Sequence, residues 1–119
     1  MRRLGQTGER AAALFLRSKG YDILQRNFHS RYGEIDIIAK KGETVSFVEV
    51  KTRGKNALDT PAASVDIFKR RKIIKTAQFY IINKQLINAD FRFDVVEVEL
   101  YGTHCKINHI ENAFDAEGF

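Results

Sequence analysis

The stretch GEIDIIAKKGETVSFVEVKTR, Gly33 to Arg53, reads as two β-strands joined by a short turn, and each strand carries a carboxylate among its Ile, Val and Phe residues. Gly33 to Ala39 is the first strand, Lys40 to Glu43 a tight connection with Gly42 supplying the turn, and Thr44 to Thr52 the second strand. Asp36 and Glu49 therefore sit where a core takes apolar side chains. An ionised carboxylate withdrawn from water costs on the order of several kcal/mol unless a cation, hydrogen bonds or solvent compensates it. Residues two apart in a strand share a face, so Glu49 and Lys51 project together while Val48 and Val50 project to the other side. A short turn brings Asp36 opposite or near Glu49, which gathers two carboxylates and one ammonium on a common patch of sheet. Converging carboxylates repel unless one is protonated or a cation lies between them, and two hard oxygen ligands completed by water suit Mg²⁺. Beside such a cation a protonated Lys51 is no ligand, but it orients an attacking water or neutralises charge on a pentacoordinate phosphate. Plainer alternatives stand beside this one: Glu49 with Lys51 as a surface ion pair on an amphipathic strand, and Asp36 as the mark of a strand end.

Outward from this hairpin, Thr7 is placed to cap a helix whose first turn holds Glu9, and ERAAALFLRSK continues it until Gly20 closes it. An acid in a first turn is ordinarily explained by the helix dipole. YDILQRNF alternates apolar Tyr21 and Ile23 with polar partners and reads as a strand, followed by a polar turn through His29, Ser30 and Arg31. Three consecutive strands make a meander. Gly54 to Ala63 contains the only proline and reads as a loop. From Ser64 the pattern turns helical, and Ile67, Ile74, Ala77 and Ile81 fall on one face that is predicted to pack on the sheet. Lys69, Arg70, Arg71 and Lys72 cannot all point inward, so most of that cluster meets solvent or a ligand; a merely solvated basic face is the plain alternative. FRFDVVEVEL alternates as another strand and KINHI adds a short last one. The order αβββαβ(β) predicts one α/β domain over residues 1–119, a mixed sheet covered by its helices.

With 119 residues, 44% of them hydrophobic and 29% charged, the chain has the composition of an ordinary globular domain able to bury a core without staples. No apolar run approaches the ~18 residues of a membrane span. The opening MRRLGQTGER is basic but lacks a following apolar stretch and does not read as a secretory signal. Cys105 is alone, so no intramolecular disulfide forms, and a cytoplasmic, reducing compartment is expected. His104, Cys105 and His109 are too loosely spaced for a zinc site, and neither a G-x-S-x-G elbow nor a phosphate-binding P-loop occurs. The net charge of +5 hides an asymmetry: residues 1–85 hold 18 Lys/Arg against 8 Asp/Glu, and residues 86–119 hold 2 against 7. A basic concentration of that size favours a polyanion, and nucleic acid is the commonest soluble one.

An acid in helix one, then IDIIA, then VEVK, in that order, resembles the restriction-endonuclease-like superfamily with its D…(D/E)xK signature, and within it the archaeal-type Holliday-junction resolvases. GERAAALFLRSKGY, RNFHSRYGEIDIIA, FVEVKTR, RFDVVEV and HIENAF together, across nearly the whole chain, resemble the YraN family of small bacterial proteins. The resemblance implies a core sheet flanked by helices and metal-dependent phosphodiester cleavage. It matches Asp36 and Glu49 to the metal-binding carboxylates, Lys51 to the motif lysine and Glu9 to the helix-one glutamate of resolvases. Ile35 stands where the fuller pattern has a proline before the first Asp. Membership alone does not establish activity, because the superfamily includes inactive members.

The expected function is thus a Mg²⁺- or Mn²⁺-dependent endonuclease hydrolysing DNA, including branched or structured DNA. Asp36 and Glu49 are expected to hold the metal, with the Val50 carbonyl as a third ligand and Glu9 added directly or through water, while Lys51 assists in-line attack by water. Arg53, Lys55, Lys69, Arg70, Arg71 and Lys72 are expected to line the groove for the nucleic acid, and symmetric cutting of two strands favours a homodimer. The alternatives are a nucleic-acid-binding module that keeps the fold without cutting, and a scaffold protein with an incidental charge pattern. The nuclease reading requires Glu9, Asp36, Glu49 and Lys51 to converge on one cleft, and predicts raised carboxylate pKa values there.

Overall fold

A computed structural model describes residues 4–54 and 65–116, which form α1 (Leu4–Ser18), β1 (Asp22–Ser30), β2 (Gly33–Lys41), β3 (Thr44–Gly54), α2 (Ile67–Lys84), β4 (Asp90–Tyr101) and β5 (His104–Phe114). The five strands make one mixed sheet in the order β1-β2-β3-β4-β5. β1, β2 and β3 are the expected antiparallel meander, turned between β2 and β3 at Gly42, whose φ of 61° is open to glycine at little strain. The crossover through α2 lets β4 run parallel to β3, and β5 returns antiparallel at the edge.

Strand alternation divides the core in two. Val45 and Phe47 of β3, with Ile35 and Ile38 of β2, pack against Ile73, Ile74, Ala77 and Tyr80 of α2. On the opposite face Val48 of β3, with Ile37, Ala39, Val96 and Val98, packs against Ala12, Ala13 and Leu16 of α1. A central strand buried on both faces reads as a nearly continuous apolar run, which is why SFV precedes Glu49 without a polar break after Ser46. Ile35, the residue in place of proline, is 2% exposed and belongs to the α2-side core.

Several boundaries differ from the sequence reading. α1 is already helical at Leu4, so Thr7 lies within it and Glu9 falls in the second turn, where the dipole no longer accounts for an acid. The helix ends as expected, with Gly20 N–H donating to Arg17 O and Tyr21 N–H to Leu16 O. β1 continues through His29 and Ser30, leaving Arg31 and Tyr32 as the turn. α2 begins after an Asp66 cap that accepts from Lys69 N–H at 2.9 Å. Ile67 is 50% exposed in the first turn and does not join Ile74, Ala77 and Ile81 on the sheet; Val65, just ahead of the cap, is buried in its place. β5 is a full strand of 11 residues rather than a short one. The predicted loop from Gly54 to Ala63 lies outside the described residues beyond Gly54, as does Lys55. No helix among the described residues is long and apolar enough to cross a membrane.

Candidate functional site

β2 and β3 pair from Lys41 and Thr44 as far as Ile37 and Val48, and the pairing stops there. β2 goes on along β1 to Gly33, while β3 goes on along β4 to Gly54, so the central sheet splits at this level. Continuing the register would set Asp36 opposite Glu49. The split leaves the Val50 N–H without a backbone acceptor on the β2 side, and the Asp36 side chain supplies one, accepting through Oδ2 at 2.8 Å. A carboxylate in the middle of a strand is thus fixed by the backbone group that the diverging ladder frees.

Around that point the side chains come from four elements. Glu49 of β3 is 7% exposed, and its carboxyl meets that of Asp36 in a hydrogen bond, which requires a proton between them. Lys69, from the first turn of α2, closes an ion pair on Glu49 Oε2. Glu9 of α1, the helix on the opposite face of the sheet, interacts electrostatically with both Asp36 and Glu49. Its approach depends on Gly8, where a Cβ would collide with the Thr52 side chain of β3. Asn27 of β1, at φ 52°, turns its side chain to hydrogen-bond Glu9. Lys51 lies on the Glu49 face of β3, in register with Glu97 of β4, and makes no ion pair among the described residues.

The electrostatics follow from this crowding. Burial, then the charge of Glu49 and the shared hydrogen bond, lift the Asp36 carboxyl to about 8 against the opposing Val50 N–H, with Glu9 adding to the lift. Burial also raises Glu9, assisted by Glu34 and Glu49 and opposed by Arg26 and the Asn27 hydrogen bond. Burial alone would lower Lys69, but its hydrogen bond to Glu49 and the charges of Glu49, Asp36 and Glu34 leave it raised.

Asp36 and Glu49 therefore meet, Glu9 lies within electrostatic range of that pair, and Lys51 shares the sheet face of Glu49. The basic residues divide. Lys69 is committed to Glu49. Arg70 turns inward, its Nε donating to Val65 O at 2.7 Å and its guanidinium lying 5.5 Å from the Phe114 ring centre. Arg53 lies 3.9 Å from Glu97, which is 5% exposed and accepts from Asn108 Nδ2 at 2.8 Å. Arg71 and Lys72 are exposed on α2. Among the described residues no group of three or more His, Cys, Asp or Glu stands ready to hold a metal ion. The chemistry of the donor set nonetheless fits a hard cation: Asp36 and Glu49, two crowded carboxyls compensated here by a proton and the Lys69 ammonium, are the residues that would hold one.

Sequence reasoning missed Asn27, Arg26 and Glu34, which tune Glu9, and Glu97 beside Lys51. An asparagine in mid-strand was the available signal, since Asn is poor in strands and tolerant of positive φ. A second polar cluster on the α1 face was also missed. Asp94, fully buried, accepts from Arg92 Nε at 2.8 Å, Arg92 Nη2 at 2.9 Å and Asn112 N–H at 2.9 Å, and bonds His109 Nε2 at 2.8 Å. Arg92 also donates to the Tyr21 hydroxyl at 2.7 Å.

The chain matches the Uncharacterised protein family UPF0102 over residues 8–98 and belongs to it. That is the YraN family indicated by the sequence blocks. Among its relatives, a UPF0102 protein of Persephonella marina is 45% identical over 113 residues, covering 95% of this chain and 94% of that protein. One from Clostridioides difficile is 48% identical over 110 residues, covering 92% and 95%. One from Alkaliphilus metalliredigens is 46% identical over 111 residues, covering 93% and 96%. The split between β2 and β3 and the residues that fill it, from Glu9 to Lys51, lie inside the matched span.

Proposed function

We propose that the chain is a metal-dependent endonuclease of the restriction-endonuclease-like superfamily, hydrolysing phosphodiester bonds in DNA, with branched or structured DNA as the favoured substrate. The observation that carries the reading is the Asp36–Glu49 carboxyl pair, fixed in the opened sheet by the Val50 N–H and capped by the Lys69 ammonium. Asp36 and Glu49 would hold Mg²⁺ or Mn²⁺, with Glu9 completing the acidic rim. A cation held there would supply Lewis-acid chemistry toward water and phosphate. Asp36 would then release to solvent the proton that holds it against Glu49. Lys69 must leave Glu49, and its freed ammonium is placed to pair with a phosphate oxygen. Lys51, on the same face and without an ion pair among the described residues, would stabilise the charge that grows in the transition state. The Glu9 carboxylate, held by Asn27, orients water at the rim.

A second reading, a nucleic-acid-binding module that does not cut, draws on the same ion pair. Lys69 already compensates Glu49, so the carboxylates need no metal for the fold to be stable. Labelled duplex, single-stranded and four-way-junction DNA incubated with Mg²⁺ or Mn²⁺ decides between them, with Mn²⁺ titration calorimetry on the same protein. Cleavage and Mn²⁺ binding, both lost in Asp36→Asn, are expected; binding of DNA with neither would leave the second reading.

A further inference from the structure

The β1–β2 turn abuts the middle of α2, with Gly33 so close to Lys72 that a Cβ there would lie 3.2 Å from the Lys72 Cβ. Two hollows flank this contact. One, of about 320 Å³, lies between His29, Glu34, Lys69 and Lys72 and thus opens beside the carboxylate cluster through Lys69. The other, of about 410 Å³, lies between Tyr32, Lys75, Phe79 and Ile82. Phe79 is 40% exposed and Ile82 75%, although neither belongs to the stripe of α2 that packs on the sheet. Phe79 has ring neighbours: its ring lies 6.3 Å from that of Phe28, which meets the buried Tyr80 ring at 5.1 Å, and 6.3 Å from that of Tyr32. Arg31 stacks on Tyr32 at 5.0 Å and donates to its hydroxyl at 2.8 Å.

An exposed aromatic and aliphatic surface asks what covers it. A second copy of the same face is disfavoured, because a two-fold contact would bring Arg31, Lys72 and Lys75 against their own counterparts. Glu34, the acid of the first hollow, lies 3.2 Å from His29 Nδ1, and against this one acid the face carries Arg31, Lys72 and Lys75. Aromatic faces interleaved with cations match a strand whose phosphates need neutralising and whose bases are free to stack. Duplex bases are already stacked on one another and present no face to Tyr32 or Phe79.

We infer that the turn of β1 and β2 and the outer face of α2 form a binding track for unpaired nucleotides, with Phe79 and Tyr32 as the stacking platform and Arg31, Lys72 and Lys75 as its phosphate contacts. The track leads toward Lys69 and the carboxylates, so a strand held on it enters the site with its flank single-stranded. The inference rests on the reading that the chain binds nucleic acid, and not on its cutting it.

The chain has no tryptophan, so Phe79→Trp installs a single indole fluorophore on the platform. In EDTA, the full chain is titrated with an oligothymidylate of about twelve nucleotides, with an abasic strand of the same length and with a blunt duplex. Quenching of the indole emission by the oligothymidylate but not by the abasic strand is expected, since both carry the same phosphates. Tyr32→Ala, on the otherwise wild-type chain, is expected to weaken oligothymidylate binding about tenfold and abasic binding much less, the latter only through the Arg31 that Tyr32 seats. Thermal melts confirm that each variant is folded, and Tyr32→Phe, which keeps the ring, is expected to bind as wild type. Equal binding of the two strands with the indole unquenched overturns the inference, as does a dimer in sedimentation that dissociates in Phe79→Ala. Either result would leave Mn²⁺ binding and cleavage standing, whereas loss of those alone would leave the track intact.

Discussion

Between its ordinary value of 3.8 and about 8, the Asp36 carboxyl keeps in the folded chain a proton that the unfolded chain releases. The native state binds more protons than the unfolded state across that window, so the contribution of Asp36 to stability falls as pH rises from about 4 to about 8. Asparagine in its place mimics the protonated acid, since its oxygen accepts from Val50 N–H and its amide donates to Glu49. In EDTA, Asp36→Asn is therefore expected to melt near wild type at pH 4 and progressively above it toward pH 8, measured by thermal unfolding across that range. A constant offset would mean that Asp36 shares no proton with Glu49. Lys69 tests the same cluster from the cation side. If its ammonium holds the place of a divalent ion, Lys69→Met should melt lower without metal yet bind Mn²⁺ more tightly than wild type, and calorimetry reads both sides of that exchange.

At the scale of elements, the geometry of the site depends on how closely α1 lies against β3. Gly8 lowers helix propensity by about 1 kcal/mol relative to Ala. Gly8→Ala regains that amount and forces the Thr52 side chain or the helix to move, a collision that typically costs about 1–3 kcal/mol. The net expectation is destabilisation of up to about 2 kcal/mol in urea unfolding, with Glu9 displaced and the Mn²⁺ affinity reduced. The Asp94 cluster fastens β5 to β4 where the register shifts between Phe93 and Val95 and Asn112 takes φ 54°. Burial would raise Asp94, but His109, Arg92 and the Asn112 N–H overcome it and hold the carboxyl down to about 2. A depressed acid contributes stability above its ordinary value of 3.8 and loses it as pH falls toward 2, the opposite sign to Asp36. Asp94→Asn is expected to cost about 3 kcal/mol at neutral pH, because Arg92 loses its buried partner, and to flatten acid unfolding between pH 4 and 2.

These elements also mark what the sequence could disclose. The hairpin was legible because the β2–β3 turn is short and fixes the register as far as Ile37 and Val48, which brings Asp36 near Glu49; that the ladder opens there, with Ile35 and Ile37 in opposite cores, was not. The full length of β5 was not either, since an edge strand with Phe114 as its one buried residue and a bulge at Asn112 loses its alternation. Nor were the partners of Asp94. Tyr21, Arg92 and His109 meet only once β1, β4 and β5 are assembled, and no local spacing encodes that. The direction of Arg70 was equally hidden, because a run of four basic residues on a helix does not say which one turns inward.

Across the whole molecule, the strand order follows the chain order, so the charge asymmetry of the sequence becomes an asymmetry in space. β4 and β5, with Glu97, Glu99 and Glu111, lie toward one edge of the sheet, and α2 packs over β1 and β2 toward the other. The start of α2 reaches the end of β5 through Arg70 and Phe114, whereas Lys72 and Lys75 farther along the helix make no ion pair with the acids of β4 and β5 among the described residues, and like charges there are tolerated when a polyanion is their partner. Arg70 and Lys72 are two residues apart on this helix and carry the same charge, yet they should behave differently. Arg70 is tied to Val65 and Phe114, so Arg70→Ala removes a contact between α2 and the end of β5 and should lower the melting temperature. Its effect on the salt dependence of DNA binding should be small. Lys72 and Lys75 are exposed and hold no partner of opposite charge among the described residues. Lys72→Ala with Lys75→Ala should leave the melting temperature near wild type, weaken binding of every DNA tested, and reduce the slope of log K against log salt by about 0.7–0.9 for each phosphate that is no longer neutralised. Fluorescence anisotropy at several salt concentrations measures that slope directly. Equal slopes in the double variant and wild type would show that this face is merely solvated, and a reduced slope in Arg70→Ala alone would place the phosphate path over the end of β5 instead.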